Sequence, residues 1–272
     1  MQLTSLLNKL LLTNGVQISK VPKDLTADKR QRPSVGHVIE LIGPSGVGKT
    51  YFYNYLRFEL EGNWFFRNEV KRVSNYKGSS FSLLQEQDAL FIECLLKKKH
   101  ENVFSGKGAL QRKVSLYDFF IKEISADVYF RHTTLARGLF SDEGVTHNFS
   151  REILWYHEQL NEGVEKKQHD VLQRFFDNRS VILYEAPTTQ IIKNLKTRSS
   201  QKPGAANDWF HYAGEKEVTE FIERSKASKR KVLAVLQQYG VDVLTLDATK
   251  DLDSNKEKVL EFCFSIISGN KE

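Results

Sequence analysis

Apolar residues in this chain recur in two rhythms that alternate along its length. Val38-Ile39-Glu40-Leu41-Ile42 is a nearly continuous apolar run and reads as a buried strand. A glycine-rich turn, Gly43–Gly48, follows, and residues 49–60 (KTYFYNYLRFEL) read as a helix. Another strand is expected near Glu69–Val73. Ser82–Lys99 keeps a helical period through Leu83, Leu84, Leu90, Phe91, Leu95 and Leu96, and Val114–Val128 reads as the next helix. Gly138–Ser141 is a short strand ending at Asp142. Helices are predicted over about Ser150–Leu160 and Val164–Phe176, a strand over Ser180–Tyr184 and a helix over Thr188–Arg198. A polar stretch with Pro203-Gly204 runs to Gly214. A long helix over Glu215–Tyr239, a strand over Val241–Leu246 and a closing helix over Ser254–Ser268 complete the pattern.

Strands alternating with helices imply an α/β fold, a parallel β-sheet sandwiched by helices with right-handed crossovers. Ligands of such sheets bind beyond the carboxyl ends of the strands. Residues 13–36 carry Asn14-Gly15, Pro22, a polar run from Asp28 to Arg32, Pro33 and Gly36, which marks a connector. Residues 1–36 are therefore expected to be an extension, and residues 37–272 the globular domain.

Composition narrows the class only a little. Of 272 residues, 40 are Lys or Arg and 34 Asp or Glu, a formal charge of +6, with a pI near 9.1. That charge suits an anionic small molecule as well as nucleic acid. With 16 Gly and 5 Pro, the chain is not of low complexity. Its two cysteines, Cys94 and Cys263, make no disulfide scaffold and are expected as free thiols of a cytoplasmic protein. No run approaches the ~20 apolar residues of a membrane span. Leu6, Leu7, Leu10, Leu11 and Leu12, interrupted by Lys9, read as an amphipathic helix docked on the domain rather than a signal peptide.

The most specific signal is Gly43-Pro44-Ser45-Gly46-Val47-Gly48-Lys49-Thr50, a full match to G-x-x-x-x-G-K-[ST] between a strand and a helix. Glycines let the backbone curl so that successive N–H groups point inward as an anion nest, and the helix adds its positive end. Lys49 is placed to reach β- and γ-phosphates, and the Thr50 hydroxyl to ligate Mg²⁺. ATP and Mg²⁺ are the expected cofactors.

GPSGVGKT resembles the loop of the nucleotide-kinase branch of P-loop proteins, which includes guanylate, thymidylate and adenylate kinases. The resemblance covers roughly residues 37–268 in order of elements and implies a P-loop NTPase, nucleotide-kinase-like three-layer fold. It also implies an acidic residue at the end of a strand beside the loop, matched by Asp142, with Glu143 as the neighbour able to take that role. A helix leading to a cationic lid follows in this family. It is matched by Thr188–Arg198 and a lid over about 199–214, with Arg198 catalytic and Lys202 in the place of a second arginine. Lysine lacks the planar fork of arginine. The last strand and Asp247-Ala248-Thr249 resemble the turn that lies against the base, with Asp247 a turn or capping residue. Residues about 64–137 then correspond to a helical acceptor region. They are unusually long, and Asp142-Glu143-Gly144 replaces the D-R-[YFH] of thymidylate kinases. The acceptor is accordingly left open.

Other groups carry less. Arg131, Arg137 and Arg151 flank the acidic strand end and can bind an anionic acceptor, with His132 and His147 nearby; surface or satisfied roles are the simpler reading. Lys97-Lys98-Lys99-His100 and Lys226–Lys231 read as solvated helix faces. Trp64-Phe65-Phe66 and Trp155-Tyr156 read as core rather than base-stacking residues. No zinc spacing occurs. The leading expectation is an ATP-dependent kinase with Lys49, Asp142 and Arg198 as catalytic residues, acting on a small-molecule acceptor, with a nucleotide among the candidates. The alternatives are a P-loop ATPase or nucleotide-binding regulator, with Glu143 polarising water, and a nucleic-acid-end kinase. A GTPase is disfavoured because no N-K-x-D motif follows a strand.

Overall fold

The structure, a computed structural model, describes residues 37–60, 64–66, 81–106, 108–132, 138–161, 166–201, 210 and 213–268. Residues 1–36, the strand expected near Glu69–Val73 and most of the 199–214 segment lie outside the described residues.

Five parallel strands form one sheet in the order β2–β3–β1–β4–β5. They are β1 (Val38–Ile42), β2 (Trp64–Phe66), β3 (Gly138–Asp142), β4 (Arg179–Glu185) and β5 (Asp242–Asp247). β1 lies at the centre and is buried throughout, as expected for a parallel strand covered on both faces. The helices are α1 (Lys49–Leu60), α2 (Glu86–Ser105), α3 (Leu110–His132), α4 (Val145–Asn148), α5 (Ser150–Asn161), α6 (Lys166–Phe176), α7 (Thr188–Gln201), α8 (Glu215–Gln238) and α9 (Leu252–Ser268).

Side-chain alternation along the strands creates two cores. Val181 and Leu183 of β4 join Phe91, Ile124, Phe149, Phe175 and Leu236, from α2, α3, α6, α8 and the turn before α5. Ile182 and Tyr184 point the other way, toward Phe52 of α1, Ile191 and Leu195 of α7, and Val259 of α9. The α/β class and the three layers expected from the sequence are thus present.

β2 falls where the sequence reading placed core aromatics without a strand. Trp64, Phe65 and Phe66 are all buried and pair with Gly138, Leu139 and Phe140. The region expected to be helical from about residue 64 therefore begins with an edge strand. Three residues are too few to show a period, so the strand is invisible to pattern reading. Its shortness also leaves little open edge for another chain to pair with.

A buried polar spine runs through the middle of the sheet. Glu40 of β1 is fully buried and pairs with Arg179 of β4, which donates to both oxygens of Asp127 on α3 at 2.7 and 3.0 Å. Glu40 also accepts from the backbone N–H and hydroxyl of Thr146, at 2.9 and 3.1 Å. Burial raises the Glu40 carboxyl above its ordinary value, and Arg179 partly counters it. Arg131 completes this cluster through Asp127, at 3.9 Å, and the carbonyl of Arg174, at 2.6 Å, so its guanidinium is engaged within the protein.

Candidate functional site

The site is assembled where β1, β3 and β4 end. Gly43–Gly48 links β1 to α1, and its tight path depends on Gly43. A Cβ there would lie 2.3 Å from the Tyr184 carbonyl oxygen of β4. From the other side, Asn194 of α7 donates to the carbonyl of Gly46 at 3.0 Å. Pro44 and Val47 are buried, Ser45 is half-buried, and Thr50 is exposed on the first turn of α1. That turn presents N–H groups with no partner inside the helix.

Lys49 folds into the curl of the loop. It is buried, donates to the carbonyls of Gly43 and Pro44 at 3.0 and 3.1 Å, and lies 3.3 Å from a Glu143 oxygen. Burial pulls its ammonium below the ordinary lysine value, while Glu143 and Asp142 pull it back up and Arg198 opposes them. The structure thus brings Lys49, the Asp142-Glu143 pair and Arg198 into one electrostatic neighbourhood, although these three places are far apart in sequence.

Asp142 ends β3 and sits level with Leu41 of β1, directly beside the loop's own strand. Glu143 follows with φ +64, an unusual conformation for a residue other than glycine. Glu40 supports this turn from below. A Cβ on Gly144 would fall 2.4 Å from the Glu40 carboxyl carbon, so the turn closes only over glycine. Asn148 donates to the Glu143 carbonyl at 2.7 Å and pins the other side. Glu143, rather than Asp142, makes the direct contact with Lys49.

Lys202 lies outside the described residues, as does Arg137. Asp247 behaves as a turn residue: its carboxylate accepts from the Thr249 N–H at 2.9 Å and hydroxyl at 2.7 Å.

Next to this cluster opens a cavity of about 480 Å³ between α2, α3, α5 and α8. Its charged lining is Lys99, Arg151, Arg224 and Lys229, with Glu152 as the carboxylate; His147 also faces it. Here the solvated expectation for the two basic runs is corrected at Lys99, Lys226 and Lys229, while Lys97, His100, Arg230 and Lys231 are exposed as expected. Lys99 is buried against Glu152, at 3.2 Å, and donates to the Asn148 carbonyl. Lys226 donates to the Ala186 carbonyl at 3.2 Å. Lys229 is only 7% exposed. Burial and the nearby Lys49 lower its ammonium to about 8, against an upward pull from Glu143. The signal was present in the sequence. Lys99 extends the buried stripe Ile92–Leu95 by four residues, and Lys229 follows Ile222 by seven and precedes Val232 by three.

The residues present fit a nucleoside triphosphate with Mg²⁺ on structural grounds. The loop is curled tightly enough that Gly43 admits no Cβ, a buried ammonium lies inside it, and two carboxyl-bearing residues stand beside it. Thr50 and Asp142 are the oxygen donors suited to a hard divalent cation. A comparison of the chain with protein-family models and with curated proteins finds no match.

Proposed function

We propose that the protein is a P-loop phosphotransferase that moves the γ-phosphoryl group of ATP to a small acceptor. One observation carries the reading: the Gly43–Thr50 loop holds Lys49 buried at its centre, 3.3 Å from Glu143, at the end of the strand paired with β1. Loop N–H groups and the start of α1 would cradle phosphate oxygens, and Lys49 would exchange its carbonyl partners for them. Thr50 and Asp142 would hold Mg²⁺, which supplies charge neutralisation on the phosphates. Arg198, felt by Lys49, adds positive charge on the α7 side. In the transfer, an acceptor oxygen bonds to the γ-phosphorus and the bridging β–γ P–O bond breaks. ADP leaves with the bonding pair; a phosphate acceptor attacks through an unprotonated oxygen, and a hydroxyl acceptor would release its proton to water. Protein groups contribute chiefly position and fixed charge. The contact of Glu143 with Lys49 supports a positioning role for that carboxylate over activation of water, which favours transfer over simple hydrolysis.

The test is ADP release from ATP–Mg²⁺, alone and with nucleoside monophosphates, nucleosides, sugars and short oligonucleotides. Release that depends on one acceptor class, and is lost in Lys49→Ala, is the expected result. Equal release without any acceptor would replace this reading with an ATPase, and no release with any acceptor would remove it.

A further inference from the structure

We propose that the cavity between α2, α3, α5 and α8 is a second anion site, which takes the phosphate group of a phosphomonoester with an apolar or ring-bearing body. The site stands on its own chemistry; only the statement that its occupant is the phosphoryl acceptor rests on the phosphotransferase reading.

The charge balance is one-sided. Among the described residues one carboxylate lines the cavity, Glu152, and it is engaged by Lys99 at 3.2 Å and by Asn102 at 2.6 Å. That leaves Arg151, Arg224 and Lys229 with no ion pair among the described residues. Arg224 bonds only to the Glu220 carbonyl of its own helix, at 3.3 Å. Arg151 and Lys229 have no hydrogen-bond acceptor among those residues.

An exposed arginine without a partner is unremarkable. A lysine 7% exposed without one is costly, because water has been withdrawn and no described residue replaces it. An anionic ligand would supply the missing counter-charge. Three cations match a phosphate dianion better than a monoanionic carboxylate, and the arginine fork fits phosphate oxygens. Val103, Leu116, Phe120 and Phe221 supply apolar surface for the body of the molecule, and Ser150, Ser225 and Ser228 add hydroxyls to the wall. A volume of about 480 Å³ is that of a small-molecule site. His147 on the cavity wall lies 3.9 Å from Glu143, which in turn lies 3.3 Å from Lys49, so the cavity adjoins the P-loop.

Binding is linked to protons. The groups facing Lys229 are Lys49 of α1, Glu143 of the β3–α4 turn and Arg151 of α5, with His147, Lys99 and Glu152 across the cavity. The anion needs Lys229 charged, so affinity falls as pH rises through about 8. Phosphate itself becomes dianionic above about pH 6. Affinity is therefore greatest between these two values.

Phenyl phosphate is the probe, measured by calorimetry on the full chain with and without saturating ATP–Mg²⁺. Binding to the wild type at pH 7 is expected. A loss of about tenfold or more is expected in Lys229→Met and in Arg151→Gln, with Lys229→Arg restoring much of it. Arg151 is exposed, so Arg151→Gln remains informative if Lys229→Met fails to fold. Absence of binding, binding unchanged in folded Lys229→Met or Arg151→Gln, or equal affinity for benzoate overturns the proposal. Displacement by ATP–Mg²⁺ also overturns it, because the probe would then be on the P-loop. If phenyl phosphate binds through Lys229 while ATP–Mg²⁺ does not bind at all, the anion site stands and the P-loop reading falls.

Discussion

Lys229 sits where helix geometry turns a charged side chain into the protein, among Lys49, Glu143 and Arg151. The stability consequence has a definite sign. Its folded value of about 8 lies below the ordinary 10.5. Between those values the unfolded chain holds a proton that the folded chain lacks, so this group makes stability rise with pH across that window. Lys229→Met removes the cost of the buried charge. The variant is expected to be more stable than the wild type at pH 7, by an amount of order 3 kcal/mol, with the gap closing by about pH 10.5. Urea unfolding at pH 7, 8.5 and 10 checks it; a gap that does not shrink with pH would sink it. Lys49 makes a different prediction at the same scale. Its Ala variant is expected to lose ATP–Mg²⁺ affinity by about ten- to a hundredfold, the worth of charge-assisted hydrogen bonds, read by equilibrium binding.

The turn between β3 and α4 depends on its neighbours more than on its own residues. Glu40, three positions upstream of the first loop glycine on β1, holds Thr146 and underlies Gly144. Glu40→Leu leaves Arg179 with Asp127 alone and frees the Thr146 N–H. A loss of about 3–5 kcal/mol is expected by chemical denaturation. Gly144→Ala pushes a methyl group onto the same carboxylate. About 1–3 kcal/mol is expected from the overpacking, along with weaker nucleotide binding if Glu143 shifts away from Lys49. A fully stable Gly144→Ala would mean that Glu40 gives way freely. Nearly every helix and strand containing five or more residues was legible, because each is long enough to show its period. β2 and α4, three and four residues long, were not. Asp127 and Arg179 gave no sign in sequence that they would meet Glu40, since ion-pair partners 52 and 139 residues apart carry no local pattern.

Over the whole molecule, the direct pairing of β1 with both β3 and β4 gathers the loop, the acidic turn and the end of β4 at one edge. Helix α8 then spans both cores, with Val218 and Ile222 in one and Val232 to Leu236 in the other, and carries Arg224 and Lys229 past the site. Lys99, Lys226 and Lys229 turn inward, and exposed Arg230 is paired with Glu185, so only part of these basic runs is offered to solvent as free charge. Oligonucleotides are accordingly expected to bind weakly. Fluorescence anisotropy between 50 and 200 mM salt checks this, and tight binding with a steep salt dependence would revive the nucleic-acid alternative.

The amino-acid sequence by itself determined the alternation of strands and helices, the Gly43–Thr50 loop and its lysine, and the acidic end of β3. Each of these is written in local periodicity or in consecutive residues. Only the tertiary structure decided which carboxylate meets Lys49, that Glu40 braces the turn, and that Lys99 and Lys229, one from each basic run, face a cavity instead of solvent. Those facts depend on which strands are neighbours and on how far each helix is rotated about its axis. Both are settled by burying apolar surface on two sides of one sheet, a global condition that no single segment records.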